Sequence, residues 1–304
     1  MGLQLFITKD YEDTMSTQRH WIDAGHNVRL FAETWGNEKN TPIVLVHGYP
    51  DSHTVWESIA TQLADQFYVI AYDVRGAGKS SIPAGLKNYK IEVLAQDLQA
   101  VVNTLLPNRQ FHLAAHDWGS IQSWESVTTP ALQGRILSFT TISGPSLDHA
   151  AMMLREQFKR QPLKVLKQLR MSWYIAAFHI PLLAPLSWKL YWGKNWHNIV
   201  DQLERSKNLP QNPTQTDDGV HGINLYRANF IDRIGNPRQR IAHCPVQVII
   251  LEKDAFVSEG YMKDLPRWVS DLTVNRIKAN HWAILSQPTL VANYIRDFVL
   301  SIAK

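Results

Sequence analysis

Asp117 is the residue of this sequence whose position most directly suggests chemistry. It follows a largely apolar run, Phe111 to Ala115, of the length expected for a buried strand, and it precedes Gly119 and the start of a helical segment. The tip of such a sharp strand-to-helix turn presents its side chain for reaction. An aspartate is ionised near neutral pH and can displace a leaving group at a saturated carbon, forming an alkyl ester. This chemistry suits epoxides and alkyl halides better than amides or ordinary esters.

Two further strands end next to residues that could assist Asp117. The apolar run Val246–Leu251 is followed by Asp254, and the run Leu272–Ile277 is followed by His281. Residues at the carboxyl ends of strands in an open parallel sheet gather where ligands bind. The chain order therefore predicts Asp117 as nucleophile, Asp254 as the orienting acid and His281 as the base.

Each of these residues also has a purely structural alternative. Asp117 and Asp254 could cap the helices that follow them, which is a common role for Asp after a strand. Glu252 and Asp148 compete with Asp254 for the role of acid, and His281 is one of 12 histidines. The positions after strands favour Asp254 and His281 for the catalytic roles.

The stretch His47-Gly48-Tyr49-Pro50 follows another buried strand, Ile43 to Val46. The backbone N–H groups of Tyr49 and Trp118 are predicted to form an oxyanion hole for the intermediate that forms when water attacks the Asp117 ester. A cis bond before Pro50 would aim the Tyr49 N–H inward.

Composition excludes several other classes of protein. The net charge of +4 and the pI near 9.0 come from 31 dispersed Lys and Arg residues, which does not indicate nucleic-acid binding. Cys244 is the single cysteine, so neither an internal disulfide nor a cysteine metal cluster is expected. We expect no metal and no organic cofactor.

The sequence also predicts a cytoplasmic protein without stable membrane insertion. The amino-terminal residues lack the basic start and apolar core of a secretory signal. No run of 18 apolar residues occurs. The nearest is Met171 to Trp192, which is interrupted by His179, Pro181, Pro185 and Lys189.

Strands that alternate with helices predict an α/β fold with a mainly parallel sheet and helices on both faces. Between residues 146 and 240 the strand pattern disappears and Trp, Tyr, Met and Pro become frequent. We therefore expect a core formed by residues 1–145 and 241–304, with a helical cap inserted at 146–240. With 304 residues, 45% of them hydrophobic, the chain is long enough for this organisation.

The chain resembles the α/β-hydrolase-fold epoxide hydrolases, which are related to haloalkane dehalogenases. The similarity extends over almost the whole chain after residue 20. The motifs that carry it are His47-Gly48-Tyr49-Pro50, Asp73-Val74-Arg75-Gly76-Ala77-Gly78, His116-Asp117-Trp118-Gly119, Asp254 and Asn280-His281-Trp282.

The resemblance implies two cap tyrosines that grip the epoxide oxygen. Ser172 to His179 looks like the stretch that carries the first, at Tyr174, and Gly222 to Arg227 looks like the stretch that carries the second, at Tyr226. Phenols can donate a hydrogen bond or a proton to the alkoxide formed on ring opening. Alternatively, both are packing residues of an aromatic cap. The side chains expected to contact an apolar substrate are His47, Pro50, Trp173 and Phe178.

The resemblance thus implies an epoxide hydrolase that converts an apolar epoxide and water to a vicinal diol. A monomer or a homodimer is expected. A haloalkane dehalogenase would use the same triad, although it often has Asn in place of Tyr49. A fluoroacetate dehalogenase would be expected to have Arg in place of Trp118. A serine esterase is disfavoured because Ser120 lies past the turn. A non-catalytic binding scaffold and a membrane-surface role for residues 171–192 remain further alternatives.

Overall fold

Eight strands form a single, mostly parallel sheet in the computed structural model, which describes residues 17–160, 173–262 and 264–302. The strand order is β1-β2-β4-β3-β5-β6-β7-β8. Only the pairs β1–β2 and β2–β4 are antiparallel. The strands are β1 (Gln18–Asp23), β2 (Arg29–Trp35), β3 (Thr41–Val46), β4 (Phe67–Tyr72), β5 (Phe111–His116), β6 (Ile136–Ile142), β7 (Val246–Leu251) and β8 (Leu272–Ile277).

Apolar side chains cover both faces of the central strands. Along β3, Ile43 and Leu45 belong to one buried cluster whereas Val44 and Val46 belong to another, because successive side chains of a strand point to opposite faces. Every residue of β4, β5 and β7 is buried, and the edge strands β1 and β8 are largely exposed. The predicted α/β fold with a mainly parallel sheet is confirmed.

Helices lie on both faces of the sheet. Helix α1 and the last helix, α10, pack on one face, and α2 and α3 pack on the other. The helices are α1 (Glu57–Leu63), α2 (Ile91–Leu105), α3 (Trp118–Val127), α4 (Leu147–Arg160), α5 (Trp173–Phe178), α6 (Leu183–Ser187), α7 (Gly193–Glu204), α8 (Gln215–Gly235), α9 (Ala283–Ser286) and α10 (Pro288–Ile302). A π-helical turn, Trp188–Trp192, connects α6 to α7.

Between β6 and β7 the described residues form helices and turns. These inserted helices, α4 to α8, pack against the turns that follow β3 and β5, because Trp188 contacts the ring of Tyr49 and Tyr226 contacts the rings of Tyr49 and Trp118. An ion network reinforces the contact. Arg238 lies 2.8 Å from the Asp148 carboxylate of α4 and 2.7 Å from the Glu125 carboxylate of α3.

None of the helices in the described part of the chain is both long enough and apolar enough to cross a lipid bilayer.

Candidate active site

Asp117 occupies a strained turn between β5 and α3. Its φ of 51° and ψ of −124° place an ordinary residue in a region that favours glycine, a strain typical of functional sites. The turn requires close backbone approach: a Cβ on Gly119 would lie 2.2 Å from the Val46 carbonyl oxygen, and one on Gly48 would lie 2.5 Å from the Asp117 carboxylate. The Asp117 side chain makes no capping hydrogen bond to α3, so it does not act as a helix cap.

One oxygen of the Asp117 carboxylate is held by the loop after β3. The Tyr49 backbone N–H donates to Asp117 Oδ1 over 2.7 Å. The peptide bond between Tyr49 and Pro50 is cis, as the motif predicts. Trp118 is the first residue of α3, where backbone N–H groups have no partner within the helix. The predicted oxyanion-hole donor from Tyr49 therefore lies against the Asp117 carboxylate already in the free protein.

Asp254 and His281 meet at the same edge of the sheet. The His281 ring Nδ1 lies 3.1 Å from both Asp254 carboxylate oxygens, and Nε2 lies 3.5 Å from Asp117 Oδ2. Asp254 also accepts hydrogen bonds from the backbone N–H groups of Phe256 and Val257, at 2.8 and 3.0 Å. The imidazole is thereby fixed between two carboxylates, one on each ring nitrogen.

The two carboxylates make His281 cationic in the free protein. Burial alone would lower the pKa of His281, but the charges of Asp254 and Asp117 and its hydrogen bonds to them raise it to about 10. Burial alone would raise the pKa of Asp254, but the charge and hydrogen bonds of His281 lower it to about 2. The resting site is therefore one imidazolium between two carboxylates.

This coupling predicts how stability depends on pH. Because the folded-state pKa of His281 is raised from 6.5 to about 10, its contribution is complete below pH 6.5 and disappears as pH rises through about 10. Because the pKa of Asp254 is lowered from 3.8 to about 2, its contribution is present above pH 3.8 and disappears as pH falls through about 2. Urea unfolding should show that wild type loses its advantage over His281→Gln between pH 6.5 and about 10. A constant difference across that range would contradict the assignment.

A large apolar cavity opens in front of Asp117, between the sheet and the inserted helices. Its volume is about 770 Å³. Two tyrosines of the inserted helices, Tyr174 on α5 and Tyr226 on α8, line it together with Asp117, and their ring centroids are 6.2 Å apart. Burial raises the pKa of both tyrosines, and the charge of Asp117 raises it further, so both hydroxyls stay protonated and can donate.

The model of the alpha/beta hydrolase fold family matches residues 41–288. The chain belongs to this family. Its strand order, its turn at Asp117 and the positions of Asp254 and His281 after β7 and β8 agree with that membership.

Relatives of this α/β hydrolase carry different names. "Probable oxidoreductase EphD" of Mycobacterium tuberculosis is 34% identical over 294 residues, which cover 91% of this chain and 48% of that protein. The chain thus spans about half the length of this relative. "Epoxide hydrolase 3" of Xenopus tropicalis is 25% identical over 90% of this chain and 75% of that protein.

Solved structures show the same fold. The structure of a Bacillus megaterium epoxide hydrolase with an inhibitor superposes with a TM-score of 0.76 at 20% identity, covering 92% of this chain and 99% of that one. The epoxide hydrolase of Vigna radiata superposes with a TM-score of 0.72 at 19% identity, covering 95% and 99%.

The three residues that could replace Asp254 as the acid or Asp117 as the nucleophile do not line the cavity. The rival acid Asp148 pairs with Arg238, and Glu252 is exposed. The Ser120 hydroxyl donates to the Gly144 carbonyl oxygen over 2.7 Å behind the turn, so it does not face the cavity as a serine nucleophile would.

The structure differs from the sequence prediction at three of the expected substrate contacts. His47 does not line the cavity; its Nε2 accepts from the Val74 N–H over 2.9 Å, and burial lowers its pKa. Pro50 lies beside His47, and the Pro50 carbonyl oxygen accepts from Gln215. His47 and Pro50 therefore hold the loop that carries Tyr49.

The two expected contacts from α5 also differ from the prediction or lie beyond it. Phe178 packs behind the tyrosines, 4.9 Å from the ring of Tyr226. Trp173 begins α5, and its side chain lies outside the described residues.

Several residues that support or line the candidate site were not predicted from the sequence. His116 Nε2 donates to the His281 carbonyl oxygen over 2.8 Å, and burial lowers the pKa of His116 to about 4, which leaves it neutral. Asn280 Oδ1 accepts from the N–H groups of His281 and Ala255, which ties the loops after β7 and β8 together. Both residues lie inside the motifs, beside the reactive groups. The apolar lining of the cavity, by contrast, leaves no local pattern: it includes Ile121, Leu147, Phe230, Ile231, Ile234, Phe256 and Val257.

Proposed function

We propose that this α/β hydrolase is an epoxide hydrolase that converts an apolar epoxide and water to a vicinal diol through an ester on Asp117. The observation that carries the proposal is the placement of an aspartate, instead of a serine, at the tip of the turn, facing two tyrosine hydroxyl groups across an apolar cavity. The relatives and solved structures named as epoxide hydrolases support it. In this proposal the inserted helices act as the cap.

In the first step Asp117 opens the epoxide ring. Its Oδ1 is held by the Tyr49 N–H, so Oδ2 is the oxygen that attacks. A bond forms between Oδ2 and an epoxide carbon while the bond from that carbon to the epoxide oxygen breaks. Tyr174 or Tyr226 donates a proton to the departing oxygen, because an alkoxide is more basic than a phenolate. The result is a hydroxyalkyl ester of Asp117.

Ester formation also converts His281 into a base. In the free protein the Asp117 charge and its hydrogen bond raise the pKa of His281. Because the ester carries no charge, this contribution disappears and the pKa of His281 falls, so the imidazolium releases its proton to solvent. The phenolate of the tyrosine that donated takes up one proton from solvent, so the net proton count is unchanged. Asp254 still accepts from Nδ1–H and leaves Nε2 free to take a proton from water.

In the second step water attacks the carbonyl carbon of the ester while His281 takes its proton. Negative charge develops on Oδ1, which already lies 2.7 Å from the Tyr49 N–H, and the Trp118 N–H is the proposed second donor. The bond between the carbonyl carbon and Oδ2, the ester oxygen bonded to the substrate carbon, then breaks. That oxygen leaves with the proton from His281 as the second hydroxyl of the diol. Asp117 keeps one oxygen from water, and the remaining proton of that water passes to His281, which restores the carboxylate and the imidazolium.

A haloalkane dehalogenase is the second candidate function, and one observation favours it. The buried indole N–H of Trp118 borders the cavity and has no partner of normal hydrogen-bond geometry among the described residues. Such a group could hold a departing halide. Tyr174 and Tyr226 favour the epoxide instead, because a halide leaves without needing a proton.

Intact mass of His281→Ala after incubation with epoxides or haloalkanes distinguishes these functions. Loss of the base should stall the second step and trap the ester. An epoxide substrate adds its whole mass, whereas a haloalkane adds its mass less that of hydrogen halide. Asp117→Asn should carry no adduct. A haloalkane adduct without an epoxide adduct would replace the proposed function, and no adduct from either panel would contradict covalent catalysis at Asp117.

A further inference from the structure

The segment from Ile180 to Trp192 forms an apolar ridge on the outside of the inserted helices. Leu182 and Leu190 are 82% and 68% exposed. The opposite side of the segment is anchored, since Ala184 and Trp188 are buried and the Trp188 ring lies 5.8 Å from that of Tyr49. An exposed patch of this kind on a packed helix marks an interaction surface. The other exposed apolar residues of the ridge are Ile180, Leu183, Leu186, Tyr191 and Trp192.

The ridge adjoins the mouth of the cavity. The Arg227 guanidinium of α8 donates to the carbonyl oxygens of Phe178 and Ile180, at 2.6 and 3.0 Å. Ile231 lies one turn further on the same face of α8; it is 71% exposed and also lines the cavity. Ile234 is likewise exposed and lines the cavity. Apolar surface therefore continues from the ridge to the entrance of the site.

The charged residues that flank the ridge in the sequence are all positive. No Asp or Glu occurs between Glu156 and Asp201, a stretch that contains seven Lys and Arg residues. Two of them, Lys189 within the ridge and Lys194 just after it, are exposed. Exposed leucines with Tyr, Trp and Lys at their border are the composition of segments that lie in the interface of an anionic bilayer.

We propose that the apolar ridge docks this protein on the surface of an anionic lipid bilayer. The leucines would enter the boundary between headgroups and acyl chains, Tyr191 and Trp192 would lie at headgroup level, and the two lysines would face lipid phosphates. A second copy of this chain is a poorer occupant, because two ridges face to face would bring like charges together.

Docking would place the mouth of the cavity over the bilayer. The substrate class would then be lipophilic epoxides that partition into membranes, which reach the apolar cavity without crossing water. This consequence rests on the proposed function, whereas docking rests on the ridge alone.

Vesicle flotation tests the docking. Wild type should float with vesicles of phosphatidylcholine containing phosphatidylglycerol and should remain unbound with phosphatidylcholine alone or at high salt. The variant Leu182→Asp/Leu190→Asp should bind at least about tenfold more weakly, because two apolar side chains no longer enter the bilayer. Lys189→Gln/Lys194→Gln should also weaken binding to the anionic vesicles.

The matched control is Val274→Asp/Leu300→Asp, which changes two exposed apolar residues of β8 and α10 and alters the net charge equally. It should float like wild type. Lack of flotation by wild type, equal binding to neutral vesicles, or equal loss in ridge and control variants would overturn the proposal. So would a wild-type dimer in sedimentation that the ridge variant abolishes, since the ridge would then serve a second copy.

Turnover separates failure of docking from failure of the proposed function. Wild type and the ridge variant should hydrolyse water-soluble styrene oxide equally, while the ridge variant should be slower on a long-chain epoxy fatty ester carried in anionic vesicles. Flotation without turnover of either epoxide would support membrane docking and contradict the proposed epoxide hydrolase function. Turnover of styrene oxide without flotation would support the proposed function and contradict membrane docking.

Discussion

Replacement of Asp117 by Asn is expected to reduce epoxide hydrolysis by at least about 10⁴-fold, the scale of losses when the nucleophile of a catalytic triad is removed. An amide lacks the charge needed to attack a saturated carbon, so no ester forms and the later groups have nothing to act on. Asn is otherwise a good steric match. Its oxygen can still accept from the Tyr49 N–H, and Asn tolerates a positive φ better than most residues.

The measurement is diol formation under conditions of excess enzyme, together with circular dichroism to verify folding. Asp65→Asn serves as the control, because the Asp65 side chain is 60% exposed and lies away from the cavity. It should retain wild-type activity. If Asp117→Asn retained more than a few per cent of wild-type turnover, the carboxylate would not be the nucleophile, and direct attack by water would become the better mechanism.

The fold could be predicted closely because the signals that specify it are local. Two predicted strands, over residues 246–251 and 272–277, have the bounds found in the structure. Central strands of a parallel sheet are buried on both faces, so they appear as uninterrupted apolar runs. The edge strand β8 is largely exposed and has no buried stretch, yet its bounds were also predicted.

The site was predictable where a turn or strand end fixes a residue. Asp117, Asp254 and His281 each lie just past the end of a strand, so their convergence follows from parallel topology. His47 and Pro50, which belong to the same motif as Tyr49, were expected to contact the substrate. Sequence distance does not show which side of a loop faces the cavity, and both residues hold the loop from behind.

The surface of the inserted helices was the least predictable part. The interruptions at Pro181, Pro185 and Lys189 argue against a membrane-spanning segment. They do not reveal whether the leucines between them face inward or outward. Orientation is set by the anchoring of Ala184 and Trp188 on the inside, which leaves Leu182 and Leu190 exposed. Only the three-dimensional packing gives that result.

The double replacement Tyr174→Phe/Tyr226→Phe is expected to reduce epoxide turnover by about 10²- to 10³-fold, the usual contribution of general acid catalysis. Each single variant should lose less, because the remaining hydroxyl can still donate to the epoxide oxygen. Phe keeps the ring contacts of both tyrosines, including those of Tyr226 with Tyr49 and Trp118 at 5.3 and 4.9 Å, so the cavity should retain its shape.

Tyr261, a third tyrosine of the cavity, provides the matched control. Tyr261→Phe should change turnover by no more than about twofold if the proton comes from Tyr174 or Tyr226. Single-turnover kinetics should place the loss in ester formation, because the tyrosines act on the departing epoxide oxygen, whereas ester hydrolysis uses His281. A double variant that forms the ester at the wild-type rate would show that the epoxide oxygen receives its proton elsewhere. The two rings would then be packing residues, and with no acid opposite Asp117 the halide-binding role of Trp118 would become the stronger explanation of the site.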